Sequence, residues 1–233
     1  MATQDQGLKL LKYLKVAFLS VAFAMFAATG ASAQTISTMS SWDGSSFISS
    51  FGVPNTATYG QTITVGGGAA PLSSFSFQVG NCGANVTYRG HVYAWNGTQA
   101  TGASLWDGAP QTLPNSASFA TVSFNVGSLT LAPGQYVLFV STSEDQVAAP
   151  ASACRFGSVS NSAYGGGQFV FINNTNNPTQ WTAGTWSTIA NDLAFTIVGI
   201  ATPVPTLSEW GMIILSSLLA MFGIAAYVRR RKG

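Results

Sequence analysis

Few side chains in this sequence can move a proton, hold a metal or carry charge. The single histidine, His91, stands in "NVTYRGHVYAW" between Gly90 and Val92. Imidazole is a common general base and metal ligand, but a lone one inside an alternating strand reads as a hydrogen-bonded structural residue. Glu144 and Asp145 are adjacent in "STSEDQVAAP". Glycoside hydrolysis needs two carboxyl groups facing each other across a substrate, about 5–10 Å apart; neighbours in a surface loop read instead as solvating a turn. Asp43, Asp107 and Asp192 could join loop carbonyls around Ca²⁺, although only their number suggests it. HExxH, GxSxG and kinase signatures are absent. "GGGAAP" and "YGGGQF" precede no helix, so neither reads as a phosphate-binding loop. The expectation is a protein that is not an enzyme and has no cofactor or metal, with a hydrolase as a distant rival.

The two cysteines, Cys82 and Cys154, stand in loop-like contexts, "GNCGAN" and "ASACRF". With one His and no CxxC they do not read as a metal site. In an exported domain they are expected to pair as a disulfide, two free thiols being the alternative. Trp95, Trp106, Trp181 and Trp186, with Tyr88 and Tyr93, are too many large rings for one small sandwich to bury. Some are therefore candidates for stacking on sugar faces, against the alternative that they fill core and edge. Three W-[DN]-G triplets, at Trp42-Asp43-Gly44, Trp95-Asn96-Gly97 and Trp106-Asp107-Gly108, read as turns that need positive φ.

The elements that must carry these residues lie between Gln34 and Ile200, rich in Gly, Ser, Thr and Asn. "LSSFSFQVG" puts Phe75, Phe77 and Val79 on one face; "NVTYRGHVYAW" does so with Val86, Tyr88 and Val92, and "ATVSFNVG" with Val122, Phe124 and Val126. "DLAFTIVG" alternates Leu193, Phe195 and Ile197, while "QYVLFVST" and "QFVFIN" are nearly continuous apolar runs. Period-2 alternation bounded by Gly, Pro and Asn predicts strands. With "QTISTM" and "GQTITVG" they number about eight, which predicts an all-β fold: an antiparallel two-sheet β-sandwich, jelly-roll-like, with first and last strands neighbours. Between Gln34 and Pro203 two arginines (Arg89, Arg155) face five carboxylates, a net of −3. No basic stripe exists there to neutralise phosphates, which argues against nucleic-acid binding.

The positive charge is at the ends. Lys9, Lys12 and Lys15 precede the uncharged run Val16–Ala28, and Ala31-Ser32-Ala33 precedes Gln34. This is the layout of a secretory signal peptide, residues 1–33, cleaved after Ala33 by signal peptidase following Sec-type export. As an uncleaved anchor the run would reach only ~20 Å, short of the ~30 Å hydrocarbon core. The exported domain is residues 34–200. Residues 201–209 form a linker, and Trp210–Val228 is an uncharged run long enough to cross ~30 Å as a helix. Arg229, Arg230, Arg231 and Lys232 then act as a cytoplasmic stop-transfer tail, residues 229–233. A buried helix of a soluble protein is the alternative for residues 210–228.

At the mouth of that run stands "VPTLSEWG". Thr206-Leu207-Ser208-Glu209 is a T-x-x-E capping box, Pro205 holds Val204 in extended geometry, and Trp210 suits the bilayer interface. "VPTLSEWGMIILSSLLAMFGIAAYVRRRKG" closely resembles the IPTL-CTERM sorting domain of Gram-negative bacteria, a relative of PEP-CTERM. Pro205, Thr206, Leu207, Trp210 and Gly211 match it position by position, and Val204 stands where the family usually has Ile. The middle more loosely resembles a sandwich often carried by PEP-CTERM-type proteins ("NTATYGQTITV", "VYAWNGTQATGASLW", "GGGQFVFINN"). The resemblance implies a substrate: an exosortase, a multi-pass membrane cysteine transpeptidase, would cut at the motif. The protein would then pass from the inner membrane to the surface or extracellular matrix, in a process associated with exopolysaccharide production. The expected role is structural or adhesive. The rivals are a permanently anchored, unprocessed single-pass protein and a surface carbohydrate-binding module.

Overall fold

The computed structural model describes residues 35–54, 56–146, 154–160 and 163–199, with residues 216, 217 and 219. The signal segment (residues 1–33) with its cleavage residues Ala31, Ala33 and Gln34, the linker 201–209 and the basic tail 229–233 lie outside the described residues. So does the apolar run 210–228, apart from Ser216, Ser217 and Leu219, which are helical and exposed. Among the described residues no helix is long and apolar enough to cross a membrane.

The alternating segments build two seven-stranded sheets. In the first, β1 (Thr35–Ser37), β14 (Phe195–Val198), β4 (Ala70–Cys82), β10 (Cys154–Ser160) and β13 (Asn191–Leu193) lie side by side. There β2 (Phe47–Phe51) also pairs with β10, and β8 (Ser116–Leu131) with β4. The second runs β12 (Ser187–Ile189), β11 (Phe169–Ile172), β3 (Thr58–Val65), β9 (Gly134–Ser141), β5 (Val86–Trp95) and β6 (Ala100–Asp107), with β7 (Gln111–Leu113) also on β5. These strand pairings are antiparallel. First and last strands are neighbours as expected, Thr35 opposite Val198.

The sequence alternation decides which faces meet. Phe75, Phe77 and Val79 of β4, with Val122 and Phe124 of β8, pack across Tyr59 and Ile63 of β3, Tyr88 and Val92 of β5, and Leu138 and Val140 of β9. Each such ring or branched chain removed from water contributes about 1.5–3 kcal/mol, and two inner faces interleaved this way are what hold a sandwich together. Gly90 marks a close approach of the two sheets: a Cβ there would meet the Phe124 ring at 2.5 Å.

The near-continuous run of β9 has a different cause. Leu138 and Val140 face the other sheet, whereas Val137 and Phe139 face outward under a second apolar layer. That layer holds Trp95, Ala100, Val170, Ile172, Trp181 and Trp186, and is closed by the short helix α1 (Gln180–Ala183). A strand covered on both faces needs no polar alternation.

Among the described residues the strands number fourteen where about eight were expected. Those not anticipated are β2, β6, β7, β10 and β12, and "DLAFTIVG" divides at Ala194 into β13 and β14. The cysteine contexts also differ: Cys82 ends β4 and Cys154 begins β10, so both are strand residues.

Candidate functional site

Strand β5 explains where the polar chemistry gathers. Its even positions turn inward, so Arg89, His91 and Tyr93 project from the outer face of the second sheet. Arg89 donates from Nε and Nη2 to Asp145, at 2.8–3.1 Å, and lies 3.7 Å from Glu144. The turn carrying Glu144 and Asp145 is thus tied to the sheet, with Asp145 occupied by a two-pronged guanidinium contact. Asp145 and, secondarily, the charges of Glu144 and Asp107 raise the Arg89 pKa further.

His91 Nδ1 lies 2.7 Å from Asp107 Oδ1, contributed by the end of β6. The imidazole is buried, stacked on Phe139 at 4.8 Å and tilted against Trp181 at 4.5 Å. The Asp107 carboxylate is half exposed and held below its ordinary pKa, chiefly by its hydrogen bond with His91. Next along the face, the Tyr93 phenol is pushed up by burial and then by the negative charge of Asp107. Three of the five carboxylates in residues 34–203, one of the two arginines and the only histidine therefore share one patch. An Asp–His pair can orient an imidazole for proton transfer. Here the far nitrogen, Nε2, is buried, and among the described residues no hydroxyl or thiol is hydrogen-bonded to it.

The remaining aspartates go to separate tasks. Asp43 accepts from the backbone N–H of Ser45 and Ser46 and from the Ser46 hydroxyl, which holds its pKa well below the ordinary range. Asp192 is fully buried and accepts from Gln61 Nε2 at 2.8 Å and from the Tyr164 N–H at 2.7 Å. Asp43, Asp107 and Asp192 are thus not brought together as a Ca²⁺ site, and among the described residues no group of three or more His, Cys, Asp or Glu could hold a metal ion.

Two of the W-[DN]-G triplets are turns with positive φ, at Gly44 and Gly97, each fastened by its Asp43 or Asn96 side chain. The third is not. Trp106 and Asp107 belong to β6, the Gly108 N–H donates to Gly90 O, and the Asp107 carboxylate pairs with His91.

For Trp95, Trp181 and Trp186 burial corrects the sugar-stacking expectation: they are 8%, 3% and 3% exposed. Trp181 donates from Nε1 to Thr58 Oγ1 and Trp186 donates from Nε1 to Trp181 O. Half-buried Trp106 packs edge-on to Phe75 and Phe124. The fold absorbs these rings because it has two apolar layers instead of one, which the count of large rings against a single core overlooked. Tyr88 is likewise buried, its phenol pushed up to about 12 by desolvation.

Cys82 and Cys154 are joined in a disulfide across 72 positions of chain. Sequence reasoning missed the polar bridge between the sheets: Gln61 also accepts the Leu193 N–H at 3.0 Å, so one buried amide spans β3 and β13. Its signal was a Gln at an inward position between Tyr59 and Ile63. The sorting residues Val204, Pro205, Thr206, Leu207, Trp210 and Gly211, and the tail Arg229, Arg230, Arg231 and Lys232, lie outside the described residues.

Comparison with known proteins bears on that C-terminal stretch. Residues 202–232 match the family model described as the IPTL-CTERM motif. No curated protein matches the chain. Among solved structures it is similar to the cysteine protease and lectin-like domains of Cwp84, a surface layer associated protein of Clostridium difficile. The identity is 10% and the TM-score 0.40, with 64% of this chain and 32% of that chain covered, so this chain spans about a third of that structure's length.

Proposed function

We propose that this chain is an exported surface protein whose IPTL-CTERM motif delivers it to an exosortase-type transpeptidase, and that its folded middle has a structural or adhesive role. One observation carries the reading: the motif match over residues 202–232. The basic, apolar and Ala-x-Ala segments of residues 1–33 supply the export signal that such a motif requires. The apolar run 210–228 with Arg229, Arg230, Arg231 and Lys232 behind it holds the precursor in the inner membrane, motif outward. There Sec-type translocation, signal peptidase and the transpeptidase act in turn on one chain, and the product joins the exopolysaccharide-rich surface. The Cys82–Cys154 disulfide suits an oxidising compartment. No sugar-stacking role is assigned to Trp95, Trp181 or Trp186, whose rings are spent in the second apolar layer.

The intact mass of the protein recovered from the cell surface tests the reading. The expected product begins at Gln34 and ends within or shortly before the motif. A surface protein still ending in Arg229-Arg230-Arg231-Lys232-Gly233 refutes processing and leaves a permanent single-pass anchor.

A further inference from the structure

Strand β8 is long, and among the described residues it pairs on one side only, with β4. Its register against β4 is continuous from Phe119, opposite Gly80, to Asn125, opposite Ser74, and shifts at both ends. Backbone groups of alternate residues point to opposite sides of a strand. Gln78 N–H donates to Ala194 O, away from β8, so Phe75, Phe77 and Val79 turn their backbone groups toward β8. Their partners there are Phe124, Val122 and Ala120. The N–H and C=O groups of Phe119, Thr121, Ser123 and Asn125 therefore line the free edge. Ser123 O points the same way and already accepts from Gln111 Nε2 at 3.3 Å, a side-chain contact that a second strand has to displace. The free run has defined limits: Ser116 Oγ takes the Ser118 N–H, and Asn125 Oδ1 takes the Gly127 N–H.

Edges are usually protected by being short, or by Lys, Pro or an inward charge. Edge strands β1, β2 and β12 are three to five residues long, and β6 ends in Asp107. Strand β8 has none of these defences, since residues 116–131 contain no charged residue and no proline.

We propose that β8 is the surface through which two copies of this chain associate, edge to edge and antiparallel about a two-fold axis near Val122. The occupant is a second copy because an antiparallel edge is its own complement: Thr121 of one copy meets Ser123 of the other, and the reverse pair follows by symmetry. Thr–Ser cross-strand pairs are favourable neighbours, and no charge has to leave water on either side. Each β8 has one free side, so the assembly closes at two copies and joins two first sheets into one. The inference is independent of the sorting reading and stands or falls separately from it.

Sedimentation of the full chain in detergent over a concentration series, with residue-resolved amide hydrogen exchange, tests it. The expected result is a monomer–dimer equilibrium. On association, exchange at Thr121, Ser123 and Asn125 slows by about tenfold or more, while Val122 and Phe124 are protected at every concentration. Ser123→Pro removes an outward N–H without touching the β4 ladder, and is expected to leave a folded monomer. If that variant does not fold, Ser123→Lys must give the same monomer. A chain that stays monomeric, a dimer that survives the folded variants or leaves those three amides unprotected, or assembly beyond two copies overturns the proposal.

Discussion

Gln61→Leu isolates the polar bridge between the sheets. Leucine has a similar size, so the perturbation is chemical and leaves little cavity. Two buried groups lose their partner: the Leu193 N–H and one oxygen of Asp192. An orphaned neutral donor costs about 1–3 kcal/mol and a charged acceptor more, so a loss of about 4 kcal/mol is expected at pH 7. With a urea slope of about 2 kcal/mol/M, the midpoint falls by about 2 M at unchanged slope. The pH dependence sharpens the test. Burial holds the Asp192 carboxyl above its ordinary pKa, and the hydrogen bonds from the Tyr164 N–H and Gln61 pull it partway back. Removing Gln61 removes one of those pulls and raises the folded pKa further. An acid with a raised folded pKa contributes stability that is fully present below its unfolded value, about 3.9, and lost as pH rises through the folded value. The Gln61→Leu penalty is therefore largest at pH 7 and shrinks toward pH 4. Urea titrations of both proteins at the two pH values read it directly. A loss under about 1 kcal/mol at pH 7, or one that does not change with pH, refutes the reasoning.

Cys82→Ser with Cys154→Ser removes a closure spanning 72 positions, worth about 4 kcal/mol of loop entropy; thermal unfolding of oxidised, reduced and double-mutant protein should place the last two together, well below the first. Gly90→Ala drives a methyl into the Phe124 ring, itself stacked on Phe75 at 4.8 Å, and is expected to cost about 1–3 kcal/mol by overpacking; an unchanged urea midpoint would mean the sheets part there without strain.

The inner faces were legible because they obey a period of two. Phe75, Phe77 and Val79, or Leu193, Phe195 and Ile197, announce both strand and buried side, and all six are in the core. Strand β10 was not legible. "CRFGSVS" alternates poorly and carries Gly157, yet it sits between β4 and β2 with Phe156 fully buried. Its strand character comes from neighbours on both sides, which no local pattern records. The outer layer failed to show for a related reason: Trp181 and Trp186 read as surface rings until α1 folds them onto β9. Of the polar patch, the sequence marked each residue but not their meeting. That Arg89 finds Asp145 and His91 finds Asp107 depends on β5 lying between β9 and β6, a strand order beyond the reach of periodicity.

The pairing of β1 with β14 has a mechanical consequence. Thr35 lies opposite Val198, so the folded body begins and ends within one strand spacing, about 5 Å. A tension applied between those two ends meets the hydrogen-bonded rows of β1 and β14 one after another, as a zipper opens, and resists weakly. A tension that enters at β14 and leaves through the edge of β8 must instead cross β4, which β14 pairs from Ser74 to Phe77 and β8 pairs from Ala70 to Cys82. The body is weak against being pulled apart at β1 and β14 and strong against being pulled through its first sheet.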